Sequence, residues 1–177
     1  MGHVKIIVDH ERIEYDGPFD ASDMFRHVQN FLFERGFDTR QDKDFEHHTP
    51  SGTEIEWQIS PWKRITDYAR HMIKIRVLIH DMKKISVSKE GKKTKIDNGK
   101  IQITIDGFIE SDYESKWEEM PMFMFLRTIY DKFIFKIYTE RFEQRLTHDI
   151  NQLSHSIGQF LNVYRSYSVV SRPATEK

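Results

Sequence analysis

The apolar residues of this chain follow two periods, and the change from one to the other predicts its elements. Val4, Ile6 and Val8 alternate with other residues, Asp9-His10-Glu11-Arg12 interrupts, and Ile13 and Tyr15 resume the alternation before Gly17-Pro18. Side chains two apart share one face of a strand, so this stretch predicts an opening hairpin. Met24, Phe25, Val28, Phe31 and Leu32 recur at spacings of three and four between the capping residues Asp20 or Ser22 and a stop at Gly36, with Phe37 just beyond; that is an amphipathic helix. Residues 41–49 are polar and show no period, while Pro50-Ser51-Gly52 predicts a turn and Ile55, Trp57 and Ile59 one face of a half-buried strand. Arg70–Met82 places Ile73, Ile75, Val77 and Ile79 together, and Ile85 and Val87 predict a further strand. Asp97-Asn98-Gly99 predicts a tight hairpin, because Asn-Gly accepts the positive φ of a two-residue turn. Ile101, Ile103 and Ile105 follow on one face, with Gly107 marking a bulge or bend. The middle of the chain therefore predicts an antiparallel meander.

From about Ser115 to Tyr164 the period becomes helical, with Ser115 and Glu118 as a capping box or Pro121 as a first-turn residue. Some 45 helical residues would reach about 70 Å, against a radius of gyration of about 16 Å for a chain of this size. A kink is expected, or a projecting helix that needs a partner. Between Met120 and Tyr138, 13 of 19 residues are apolar or aromatic, more than one stripe can hold. Such a segment fits a helix covered on two sides, a cavity wall or an oligomer surface. A membrane span is not expected, since Arg127, Asp131, Lys132 and Lys136 would lie in hydrocarbon at about 2.5–3.5 kcal/mol each. Phe142, Leu146, Ile150, Leu153, Ile157, Phe160 and Tyr164 then approximate a heptad seam. The seam either packs back on its own chain or joins copies into a homo-oligomer.

Length and composition narrow the class. At 177 residues the chain fits a single α+β domain over 1–165, with 166–177 as a flexible tail. Its 13 Phe, 7 Tyr and 3 Trp supply a core, and with no cysteine there is no disulfide, thiolate metal site or cysteine nucleophile. The first residues lack the apolar run of an export signal and the spacing of a myristoylation site, so a cytoplasmic location is expected. Net charge is −1, yet residues 61–100 carry twelve Lys and Arg against four Asp and Glu, and residues 1–60 carry six against thirteen. The acidic start and basic middle are a division that the net figure hides.

Candidate chemistry is sparse. No acid/base pair in an apolar frame, glycine-rich phosphate loop or nucleophile elbow occurs, so no catalytic residue and no cofactor is expected. No metal site is expected either: His47 and His48 are adjacent and would face opposite ways on a strand, and His148 and His155 lie outside the seam. The lysines Lys83, Lys84, Lys89, Lys92, Lys93 and Lys95 form a basic surface on the meander. They could neutralise the phosphates of RNA or dock on a ribosome or an acidic protein. They serve equally as protection of strand edges.

The order of elements, an early strand, a helix, about six antiparallel strands and a long C-terminal helix, resembles the helix-grip arrangement of the START-like superfamily over most of residues 3–165. The chain differs in showing one helix after the first strand where that superfamily has two. The resemblance implies a curved sheet gripping the last helix, with a cavity between them for a hydrophobic molecule or, in some members, a protein contact. Trp57, Ile73, Ile75, Phe125, Ile129 and Phe133 would then line an apolar pocket, and the expected function is that of a non-enzymatic binding protein.

Overall fold

The computed structural model describes residues 3–39, 41–50, 52–66, 69–89, 92–111, 136–165 and 168–169. The chain is α+β. Its strands are β1 (His3–Phe19), β2 (Gln41–His48), β3 (Thr53–Ile59), β4 (Trp62–Arg64), β5 (Ala69–Lys89), β6 (Lys92–Ser111) and β7 (Ser168–Val169), with helices α1 (Ala21–Glu34) and α2 (Lys136–Arg165). One antiparallel sheet runs β1-β6-β5-β3-β2, and β4 and β7 pair with β5 before and after the stretch that β3 covers. Ser168–Val169, expected in a flexible tail, is therefore part of the sheet. The segment 112–135, which holds most of the Met120–Tyr138 apolar run, lies outside the described residues, as does the expected start of the last helix.

Two breaks in the alternation prove to be bulges rather than turns. The opening hairpin is a single strand in which His10, at φ 54°, lets Asp9 and His10 stand opposite Asp106 alone. Asp81, also at φ 54°, does the same within β5, which runs unbroken from Ala69 to Lys89. An extra residue flips the side chains beyond it to the other face. Asn98-Gly99 is no turn either: Asn98 pairs with Lys83 inside β6, and the pairing of β5 with β6 continues as far as Lys89 and Lys92. Gly99 is there for space. A Cβ on it would lie 2.8 Å from the His80 carbonyl oxygen and 3.1 Å from Met82 Cα, where β5 bulges.

One face of the sheet carries the core. Ile73, Ile75, Val77 and Ile79 of β5, with Ile101, Ile103, Ile105 and Ile109 of β6, are all buried there. Helix α1 begins where the Asp20 carboxylate accepts the Asp23 amide at 2.9 Å, and ends where Gly36 at φ 73° lets the Phe37 amide reach the Leu32 carbonyl. Its buried face is Ala21, Met24, Val28 and Leu32, and Phe25 lies against Trp57 with ring centroids 4.7 Å apart. The strand β2 has every described side chain from Asp42 to His48 exposed, so no burial forces an alternation on its sequence.

The seam of α2 packs on its own chain. Leu146, Ile150, Leu153 and Ile157 are fully buried against the sheet, and the surface that would have joined two copies is occupied. Leu161 continues the buried face while Phe160 and Tyr164 stand half-buried, because 3.6 residues per turn drift from a 3.5-residue seam. Gly107 sets the distance between helix and sheet: a Cβ there would overlap Ile150 Cδ1 and lie 3.4 Å from Leu146 Cδ2 and Val8 Cβ. Gly107→Ala is expected to cost about 1–2 kcal/mol in denaturant unfolding. Ile150→Val removes the overlapping methyl at about 1 kcal/mol by itself, so the double variant should be less destabilised than the sum. Strict additivity would show that the helix is not seated on Gly107.

Candidate functional site

The two-layer packing leaves a cleft of about 890 Å³ between the β4–β5 end of the sheet and the first turns of α2. Lys63 and His71 are paired across β4 and β5 and so share the face turned to the helix. Arg141, Arg145 and Asp149 recur at spacings of four along one side of α2 and form the opposite wall. Arg64, Ile65, Gln144 and His148 complete the lining.

The charge is one-sided. The described lining holds four cationic side chains, Lys63, Arg64, Arg141 and Arg145, and one carboxylate, Asp149, which already accepts from Arg35 Nη1 at 2.7 Å. The Lys63 ammonium donates to the Arg35 carbonyl oxygen at 2.7 Å, which leaves it two further hydrogens. Arg35 closes the frame by stacking on Phe31 at 4.4 Å and donating to Gln152. Arg141 and Arg145 are exposed and have no carboxylate partner among the described residues.

His71 is the group that departs from surface behaviour. Only 3% exposed, its ring is pushed down to about 4 by burial, an effect opposed by its hydrogen bond to the Phe142 backbone and by Asp149, and reinforced by Lys63 and Arg145. It is neutral at pH 7. Among the described residues its Nε2 is the one buried side-chain nitrogen or oxygen with no hydrogen-bond partner.

No family model, curated protein or solved structure matches the chain. The site stands on its own geometry.

Of the residues expected to line an apolar pocket, Trp57, Ile73 and Ile75 are buried in the core shared with the helices, while Phe125, Ile129 and Phe133 lie outside the described residues. The lysines fall on the long β5–β6 ribbon. Lys83, Lys84 and Lys95 are exposed there, Lys89 pairs with Lys92 and Ser88 with Lys93 at its end, and Asp97 is directly opposite Lys84. His47 and His48 alternate across β2 as expected, opposite Glu54 and Thr53. Asp9, His10 and Asp106 do meet at the β1 bulge, a grouping that becomes visible only once the register is known. They engage one another there: the His10 amide donates to Asp106 at 2.8 Å and its ring contacts Asp9. Sequence reasoning missed the cleft altogether. The one signal available was the basic excess of residues 61–100, and its relevant members, Lys63 and Arg64, lie outside the lysine run.

Proposed function

We propose that this is a binding protein that takes a small anionic molecule in the cleft between sheet and C-terminal helix. The observation that carries the reading is a cleft large enough for a metabolite, lined from both walls by four cationic side chains and by one carboxylate, Asp149, that is already engaged by Arg35. The resemblance to the helix-grip arrangement supports the location, since that superfamily takes its ligands between sheet and last helix. The cationic walls favour an anionic ligand over the hydrophobic one that the resemblance alone implies.

Pyrophosphate is a suitable probe. Titrated into the labelled protein, it should shift the amide signals of Lys63, His71 and Arg145 saturably. The pair Arg141→Ser and Arg145→Ser should weaken binding about tenfold or more, the loss expected for charge-assisted hydrogen bonds. Both side chains are exposed, so folding should survive. Cleft signals that do not move at millimolar pyrophosphate would rule the reading out.

A further inference from the structure

The buried imidazole at the base of the cleft narrows the ligand class. The bond between His71 and the Phe142 backbone favours the protonated ring, so it is one the ring donates, to the carbonyl oxygen. Nε2 has no partner among the described residues, so the donor is Nδ1. A neutral imidazole has one N–H; with that hydrogen on Nδ1, Nε2 presents a bare lone pair. A buried acceptor left unmatched is costly and calls for a donor. Lys63, Arg141 and Arg145 line the same cleft, all donors to an anion.

An anion such as sulfate offers this lone pair only further lone pairs. We propose, resting on the anion-binding reading above, that the cleft takes an oxyanion that still carries a proton. Hydrogenphosphate or the acid form of a phosphate monoester would place its charged oxygens on Lys63, Arg141 and Arg145 and, as a cleft side chain turns aside to uncover the buried Nε2, donate its P–OH to that atom of His71. Arg141 and Arg145 can turn onto such an anion without breaking an ion pair with any described residue.

Sulfate and phosphate are close in size and shape and differ at neutral pH in that hydrogen. Calorimetric titration of the whole protein at pH 7 and matched ionic strength should show phosphate binding about tenfold or more tighter than sulfate. In His71→Phe the two should bind within about twofold of each other, because the acceptor is gone. Should that variant fail to fold, the imidazole ¹⁵N signals of the wild-type protein give the same answer: Nε2 should leave its free lone-pair position on adding phosphate and hold it on adding sulfate. Methyl phosphate separates the two sources, being kept by a monoester site near pH 6 and rejected by one closed around free phosphate. Equal affinities for phosphate and sulfate in the wild-type protein would overturn the inference and leave the anionic cleft standing. No binding of either anion would end both.

Discussion

Ile150→Asp is expected to abolish folding, with loss of the circular dichroism of sheet and helix, rather than to convert an oligomer into a folded monomer. Ile150 is completely buried, and its δ-methyl occupies the gap left by Gly107. The described neighbours of an ionised carboxylate there are apolar. Removing it from water costs more than about 5 kcal/mol, comparable with the whole stability of an ordinary domain, about 5–15 kcal/mol. Leu153→Asp should behave alike, while Val163→Asp, on the 58% exposed side of the same helix, should fold. Light scattering together with circular dichroism distinguishes the outcomes. A folded, monomeric Ile150→Asp would return the seam to the surface.

The contrast among those three positions shows what periodicity can settle. A stripe at spacings of three and four says that one side of the helix is covered; it is silent on whether the cover is this chain or another. Gly107 decides the matter, and its role emerges only when the sheet brings it under residue 150. Helix α1 was legible throughout because each of its signals is local: Asp20 caps within three residues, Gly36 terminates within four of Leu32, and the buried positions lie on one face. The strand faces Ile55-Trp57-Ile59 and Ile101-Ile103-Ile105 were legible for the same reason, although Ile55 is half-buried where the other five are buried.

The bulges were not legible, and the cause is physical. Asp9-His10-Glu11-Arg12 and the residues around Asp81 break the alternation in the way a turn would, and a bulge differs from a turn in its partner strand, not in its own composition. Asn98-Gly99 misled similarly. Glycine fits a tight turn through positive φ, yet Gly99 has no positive φ and is needed because the bulged backbone of β5 presses on it; Gly52, from the other side, would put a Cβ 2.7 Å from the Asp81 carbonyl carbon. The Glu54 carboxylate then ties the bulge down, accepting from His80 Nδ1 at 2.5 Å and from the Asp81 amide at 3.3 Å. The cleft was hidden for a broader reason. Lys63, His71 and Arg145 are held by three elements, and no spacing in the chain relates a strand pair to a helix more than sixty residues later.

Stability should fall as pH drops from about 6.5 to about 4, and His71 should be responsible for a fall of about 3 kcal/mol. Burial depresses its folded value, so between those limits the unfolded chain takes up a proton that the folded protein refuses. The unfolded state is therefore favoured progressively as acid is added, and the contribution is fully present above pH 6.5. Below about 4 both states are protonated and the dependence on this residue ends. The charged groups facing the ring pull in opposite directions, Lys63 of β4 and Arg145 of α2 disfavouring the proton and Asp149 of α2 favouring it, so burial sets the sign. Urea unfolding across this range, for the wild-type protein and for His71→Leu, isolates the effect, because the carboxylates that also titrate there are common to both. The difference in their free energies should change by about 1.4 kcal/mol per pH unit within the window and flatten outside it. A constant difference would mean that the folded imidazole accepts its proton as readily as a free one, and that burial does not hold it neutral.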